Sequence, residues 1–118
     1  MAMVEVCADI GFADSEFRSY ERTTDTLIVR VRAWNGKLLL VRFDDVVGAR
    51  DCLPGDITGL YEHTCSTDFL VQTLGHVYEN VPDNSPYKHF AFTNLDDQPS
   101  LEVIAAECAI RALRWRAR

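Results

Sequence analysis

The sequence lacks the common nucleotide-binding and hydrolase motifs, and it has no long hydrophobic run. None of GxGxxG, GxxxxGK[ST], GxSxG and HExxH occurs among its 118 residues. These absences argue against a phosphate-cradling glycine loop, a serine-hydrolase elbow and a zincin protease. No segment approaches the roughly 18 apolar residues of a membrane span, and the first residues carry Glu5 and Asp9 in place of a basic signal-peptide start.

Basic residues are also scarce. Twelve Lys and Arg stand against eighteen Asp and Glu, for a net charge of −6. Four of the arginines lie in residues 111–118, so residues 1–110 hold eight basic and eighteen acidic side chains, a net charge of −10. Since binding to a phosphate backbone depends on many Lys and Arg contacts, we expect no nucleic-acid partner. Because the sequence has no apolar span, we expect no membrane partner either. An acidic body favours either a basic protein partner or simple solubility.

Closely spaced cysteine pairs are absent as well. The four cysteines form no CxxC motif, and nothing else in the sequence is typical of a secreted protein. We therefore expect buried, reduced thiols in a cytoplasmic protein. The four are Cys7, Cys52, Cys65 and Cys108.

What the sequence does contain is typical of a globular domain. Hydrophobic residues make up 47% and charged residues 25%, and no repeat, low-complexity stretch or linker interrupts the chain. This predicts a single domain over residues 1–118. The predicted fold class is α+β: an antiparallel sheet of about five or six strands, with one or two helices packed on one face.

The strongest local signal is a β-hairpin. The runs TLIVRVRAW and KLLLVRFDD flank the dipeptide Asn35-Gly36. Asn-Gly between two β-rich runs predicts a two-residue type I′ turn, because both central residues of that turn need positive φ. This register places Val31 opposite Leu40 and directs both side chains into the core.

Other elements follow from turn residues and alternation. Short strands are predicted at 46–50, 57–63 (or the start of a helix there), 87–94 and 101–105. A short helix over 68–73, capped by Ser66 or Thr67, competes with a strand at 69–74. Residues 13–21 fit a helical turn or an irregular arm, and residues 106–118 fit either helix or strand. The predicted core comprises Leu27, Val29, Val31, Leu38, Leu40, Phe43, Val46, Phe69, Leu74, Phe90, Phe92, Val103 and Ile104.

Candidate metal ligands and nucleophiles lie in the second half of the chain. Cys52, His63 and Cys65 fall within fourteen residues, and His76 or His89 could complete four ligands. The spacing does not match the paired cysteines of common zinc sites, so we expect no metal, no other cofactor and no catalytic residue. If the domain has a reactive or ligand-binding pocket, its first candidates are His63, Cys65, His89, Arg30 and Arg32.

Acidic residues recur through the middle third of the chain. Ordinary turn chemistry accounts for many of them, and a Mg²⁺ site is a second alternative. The third interpretation is an acidic surface that binds a basic protein partner by charge complementarity. The predicted partner-binding residues are Asp44, Asp45, Asp51, Asp56 and Glu62.

Two stretches resemble a known group of proteins. WNGKLLLVRFDDVVGARD (34–51) and YKHFAFTN with LEVIA (87–105) are similar to small acidic bacterial domains. These include immunity proteins of polymorphic or contact-dependent toxin systems. The resemblance implies a non-catalytic protein that neutralises one cognate toxin domain by occluding its active site. Two alternatives stay open: a small-molecule-binding or enzymatic domain with a Cys/His-containing pocket, and a homodimeric structural module.

Overall fold

The computed structural model describes residues 3–6 and 11–113, and these form two antiparallel sheets and one helix. The first sheet has the order β1 (Met3–Glu5), β7 (Gly59–His63), β8 (Lys88–Thr93), β9 (Pro99–Ala105), β5 (Gly48–Asp51). The second sheet has the order β10 (Glu107–Leu113), β4 (Leu38–Asp44), β3 (Thr26–Arg32), β2 (Ser15–Arg22), β6 (Asp56–Ile57). Helix α1 spans Asp68–Val77. The α+β class is confirmed, although ten strands in two sheets replace the single sheet that we expected.

The core lies between the two sheets. The ring of Phe43, from β4, has its centroid 5.4 Å from that of Phe90 and 6.1 Å from that of Phe92, both from β8. Phe12 meets Phe92 edge-on at 6.2 Å. Alternate residues of each strand supply this layer, as the period of two along a strand requires. Its fully buried large side chains include Leu27, Val29, Val31, Val41, Ile57, Leu60, Leu101 and Val103.

The β3–β4 hairpin forms, but its turn is longer than predicted. The amide of Ala33 donates to the carbonyl of Lys37 at 2.8 Å, and the amide of Gly36 donates to the carbonyl of Ala33 at 2.9 Å. Gly36 has a φ of 82°, whereas Asn35 is not in the left-handed region. This is a three-residue loop whose third residue is a left-handed glycine, instead of a type I′ turn.

The extra loop residue shifts the register by one. Val31 lies opposite Leu39, and Arg32 lies opposite Leu38. A shift of one residue exchanges the two faces of a strand, so Leu39 and Val41 enter the core. The core prediction was therefore wrong for Leu38 and Leu40, which are half-buried on the opposite face. Phe69, also predicted in the core, is half-buried in the first turn of α1.

The segment at 13–21 is neither a helical turn nor an irregular arm. It forms β2, which pairs with β3 and has a register irregularity between Phe17 and Ser19. The turn between these strands closes where the amide of Thr23 donates to the carbonyl of Thr26 at 2.9 Å. Most of β2 is exposed, because one of its faces points to solvent and it lies near the edge of the sheet.

Residues 101–113 are strand throughout, apart from a break at Ala106. β9 runs between β8 and β5 of the first sheet, and β10 then pairs with β4 of the second. The helical alternative is thus wrong for 106–113, where pairing along the whole of β4 outweighs the helix propensity of the alanines. Residues 114–118 lie outside the described residues.

Helix α1 covers the outer face of the first sheet. Thr67 is its N-cap: the hydroxyl accepts a hydrogen bond from the amide of Leu70 at 3.2 Å. This confirms the helix and one of its two predicted caps, and excludes the competing strand. The helix approaches β5 closely, since a Cβ built on Gly48 would lie 2.7 Å from Cγ2 of Thr73. Within the described residues, no helix is long and apolar enough to span a membrane.

The cysteine prediction was largely wrong. Cys52 and Cys65 are exposed free thiols in loops, and Cys108 is half-buried on β10. Both exposed cysteines lie in connections, where side chains have few neighbours to cover them. Cys7 lies outside the described residues.

Candidate functional site

The outer face of the first sheet carries a buried polar cluster. His89 on β8 and Glu102 on β9 are each only 3% exposed. Helix α1 and the segment before it cover them. Because a buried imidazole or carboxylate is costly without partners, the contacts of these two side chains determine what the cluster can do.

His89 is held at both ring nitrogens. Its Nε2 lies 2.9 Å from Oε1 of Glu102, and its Nδ1 lies 2.6 Å from the hydroxyl oxygen of Thr67. A carboxylate only accepts, so Nε2–H donates to Glu102, and Nδ1 of the neutral ring accepts from the Thr67 hydroxyl. Glu102 thus fixes the tautomer of His89, and the hydroxyl that caps α1 holds the other ring nitrogen.

Glu102 is held at its second oxygen by Arg50 from β5. Nε of Arg50 donates to Oε2 of Glu102 at 2.6 Å, and Nη2 forms an ion pair with the same oxygen. The guanidinium also lies over the ring of Phe69, 4.5 Å from its centroid. Glu102 therefore has one oxygen directed to Arg50 and the other to His89.

His63 stacks on His89. The ring centroids are 4.2 Å apart and the planes differ by 28°. A ring nitrogen of His63, a ring nitrogen of His89 and a carboxylate oxygen of Glu102 all lie within 4.8 Å of one another. Within the described part of the chain, the ring nitrogens of His63 have no hydrogen-bond partner. Two imidazoles and a carboxylate at this separation form a potential metal-binding set.

The cluster affects the titration of His89. Burial is the main cause that lowers the pKa of its imidazole, and the neighbouring charge of His63 lowers it further. Glu102 acts in the opposite direction, but the net shift is downward from the ordinary value. His89 is therefore neutral at neutral pH, and its one ring-nitrogen lone pair, on Nδ1, accepts the hydrogen bond from Thr67.

A pocket of about 640 Å³ opens beside the two histidines. Its polar side comes from the end of β7 and the start of β8, and its apolar side comes from α1 and the loop that precedes β8. Tyr78 and Tyr87 pack at 6.1 Å where α1 meets this loop. The lining residues are Glu62, His63, Thr64, Cys65, Ser66, Leu70, Val71, Leu74, Val81, Pro82, Asp83, Ser85, Tyr87, Lys88 and His89.

Four of the five predicted partner-binding acids do not line this pocket, and three of these four lie on the second sheet or in the turn after β4. Asp44 ends β4 and forms an ion pair with Arg42 at 2.8 Å, and Asp45 follows with a φ of 54°. Asp56 lies on β6, opposite Glu16.

The other two acids lie in the first sheet. Asp51, at the end of β5, accepts a hydrogen bond from the hydroxyl of Tyr20 at 3.0 Å. Glu62, on β7, lines the pocket and lies 3.9 Å from Nζ of Lys88. The five acids are thus divided between two sheets.

The sequence-predicted pocket residues divide in the same way. His63, Cys65 and His89 meet at the pocket, whereas Arg30 and Arg32 lie on the exposed face of the second sheet. Of the candidate metal ligands, Cys52, Cys65 and His76 are not in the cluster found among the described residues.

Arg50, Thr67 and Glu102 were not recognised as site residues. The signal for Glu102 was present in the sequence, because it is the one carboxylate within the apolar run LEVIAA. A charged side chain in a buried strand needs a partner. The partners could not be identified, since Arg50 is 52 residues away along the chain.

No protein-family model matches the chain, and neither does any curated protein or solved structure.

Proposed function

We propose that this domain binds a small molecule in the pocket between α1 and the first sheet. The observation that carries the proposal is the pocket itself, about 640 Å³ in volume, with two stacked histidines at its polar side. Small-molecule sites are typically concave, of a few hundred Å³, and mostly apolar with a few fixed polar groups. This pocket has a volume in that range and combines an apolar side with fixed polar groups, although its lining is more polar than that of a typical small-molecule site.

The lining predicts the chemistry of the ligand. Leu70, Leu74 and Val81 offer an apolar surface, and Tyr87 adds an aromatic ring. Opposite them, His63 has ring nitrogens free to bind a ligand. We therefore expect a ligand with an apolar body and a hydrogen-bonding group at one end.

The test is a fragment screen by ligand-observed NMR on the wild-type protein and two tryptophan variants. Val71 is 57% exposed and lines the pocket, so Val71→Trp places a large ring in the pocket without disturbing the core. Val77 is 42% exposed on the same helix and does not line the pocket, which makes Val77→Trp a matched control. We expect fragments to bind the wild type and Val77→Trp, and to lose at least tenfold in affinity with Val71→Trp.

Two outcomes would contradict the proposal. One is a screen in which no fragment binds the wild type. The other is binding that Val71→Trp leaves unchanged, which would place the ligand elsewhere. Retained near-UV circular dichroism in both variants separates a blocked pocket from a lost fold.

A second function, neutralisation of a basic toxin domain, is favoured by a different observation. Asp44 lies opposite both Thr26 and Glu107 in the second sheet. Asp25 precedes Thr26 and Asp45 follows Asp44, so four carboxylates gather at this end of the sheet. This supports the acidic-surface interpretation for Asp44 and Asp45. In this role the domain is a non-catalytic binder, and its partner has Lys and Arg around the occluded site.

Charge reversal tests the second function. The wild-type protein is used to capture partners from its native cells at low salt, and a high-salt wash releases them. We expect a basic protein that Asp44→Lys/Asp45→Lys fails to capture. The control Glu79→Lys/Asp96→Lys makes the same change in net charge at exposed loop positions and should capture it normally. Equal capture by both variants would rule out this surface.

A further inference from the structure

We propose that His63, His89 and Glu102 form a binding site for a divalent transition metal ion, with Zn²⁺ as the probe ion. The donor atoms are the free nitrogen of His63, Nε2 of His89 and Oε1 of Glu102. All three lie within 4.8 Å of one another, and two of the three side chains are almost fully buried. The proposal does not depend on whether an organic ligand occupies the pocket.

The donor types suit such an ion. Zn²⁺ binds imidazole nitrogen and carboxylate oxygen at about 2.0–2.2 Å, and two histidines with one glutamate are a known three-ligand set. Atoms that share such an ion lie about 3–3.5 Å apart, given those bond lengths. The His89–Glu102 separation of 2.9 Å is close to this value. The lone pair of an imidazole lies in the plane of its ring, so the ring of His63 must turn out of its stack on His89 to direct a nitrogen at the same ion.

The outer contacts are those of a metal site. Metal-binding histidines almost always engage their second nitrogen with a further group, and ligating carboxylates are themselves hydrogen-bonded. Here Thr67 engages Nδ1 of His89, and Arg50 engages Oε2 of Glu102. With these contacts in place, Nε2 of His89 and Oε1 of Glu102 remain close to each other and can both reach one ion.

Binding requires one proton rearrangement. The metal takes the lone pair of Nε2, so the proton that Nε2 donates to Glu102 leaves that nitrogen. Nδ1 then carries a proton and donates it to the Thr67 hydroxyl, which has two lone pairs and also accepts from Leu70. The imidazole remains neutral overall, and one proton is exchanged between its two nitrogens through solvent.

His63 distinguishes this site from a purely structural network. The pair His89–Glu102 is fully bonded without a metal, and its outer contacts alone would account for its burial. His63 is different, because its ring nitrogens are unengaged within the described residues although it stacks directly on His89. His63 faces the pocket without a hydrogen-bond partner from the described residues, so it can supply a third ligand that the structural pair itself does not require.

The test is isothermal titration calorimetry with ZnCl₂ on protein first treated with a chelator. We expect one Zn²⁺ per chain, and at least a tenfold loss of affinity in His63→Ala. His63 is half-buried and makes no hydrogen bond, so this variant should fold, which near-UV circular dichroism checks. The control is His76→Ala, which removes an exposed histidine of α1 and should leave Zn²⁺ affinity unchanged.

Cobalt substitution tests the identity of the ligands. Co²⁺ held by two nitrogens and one carboxylate shows visible d–d bands without the near-ultraviolet charge-transfer band of a thiolate. A thiolate charge-transfer band would show that a cysteine binds the ion, and a loss of affinity in Cys65→Ser would identify that cysteine as Cys65; either result would overturn the proposed ligand set. Absence of Zn²⁺ binding by the wild type, or equal affinity in His63→Ala, would overturn the site itself. Neither result bears on fragment binding in the Val71→Trp test.

Discussion

The two faces of strands β8 and β9 are equally buried but chemically different. The inner face, against the second sheet, carries Phe90, Phe92, Leu101 and Val103. The outer face, under α1, carries His89, Thr93, Ser100 and Glu102, together with Ala91 and Ile104. Apolar packing stabilises the first layer, whereas the second depends on hydrogen bonds that must all be made. Burial alone therefore does not identify a core, and a buried polar row beside a pocket is where function is expected.

We expect the largest loss of stability when an aromatic ring is removed from the inner face. Phe92 is fully buried between Phe12 and Phe43. We expect Phe92→Ala to lower the free energy of unfolding by about 3–5 kcal/mol, because it leaves a cavity in the core. Urea denaturation measures the effect. The control Leu95→Ala, at a side chain that is 66% exposed, should cost less than about 0.5 kcal/mol. Comparable costs for the two variants would contradict the assigned core.

On the outer face, we expect the next largest loss of stability from a substitution at the tight contact between α1 and β5. A methyl group at Gly48 would lie 2.7 Å from Cγ2 of Thr73. We expect Gly48→Ala to destabilise the protein by about 1–3 kcal/mol through overpacking. Thr73→Ser removes that Cγ2 atom, so the double variant should recover most of the loss in a thermal or urea melt. If the double variant were no more stable than Gly48→Ala, the contact would not be the cause.

A substitution of Thr67, which belongs to the polar network of the outer face, should lower the stability by a smaller amount. Thr67→Val keeps the shape of the side chain but removes the hydroxyl that caps α1 and holds His89. We expect a loss of about 1 kcal/mol from the missing cap. The ¹⁵N chemical shift of His89 Nδ1 should also change, because that nitrogen loses its hydrogen-bond donor. Thr67→Ser retains the hydroxyl and should restore both quantities. An unchanged His89 shift in Thr67→Val would show that the two side chains are not coupled.

We expect the smallest effect on stability from the Tyr20–Asp51 hydrogen bond, which joins the two sheets at the surface. Tyr20 donates to Asp51, and this hydrogen bond, followed by the charge of Asp51, raises the pKa of the Tyr20 phenol. A tyrosine pKa raised by folding stabilises the native state below its unfolded value of about 10, and that contribution is lost as the pH rises through the folded pKa. Asp51→Asn should return the pKa of Tyr20 toward about 10. An NMR titration of ¹³C-labelled tyrosine resolves it from the other three, and an unchanged pKa would contradict the contact.

How far the sequence predicts the fold depends on the range of the interaction. The helix was identified because Thr67 caps it locally, and β8 because aromatic residues alternate between turn signals. The β3–β4 hairpin was located correctly, but its register was not. Asn35-Gly36 fits two turn types, and pairing along both strands determines which one forms.

The candidate site was predictable only in part, for the same reason. His63, Cys65 and His89 were recognised as chemically able residues, and they meet at the pocket. Arg50 and Glu102 become a pair only through the pairing of β5 with β9, which local sequence does not encode. The side chains that fix the tautomer and the charge of this site are therefore those that sequence reasoning could not place.

The passage of the chain from β9 to β10 has a consequence for folding during synthesis. These two strands follow one another across Ala106, yet one is interior to the first sheet and the other borders the second. β5 pairs with β9 alone within the described residues, so its partner is translated about 50 residues later than β5 itself. Until β9 leaves the ribosome, β5 has no strand to pair with, and Arg50 has no contact with Glu102. Such long-range pairing is slow to form and exposes strand edges while it is incomplete. On the nascent chain, the contacts of Glu102 with Arg50 and His89 can therefore form only after β9 has emerged.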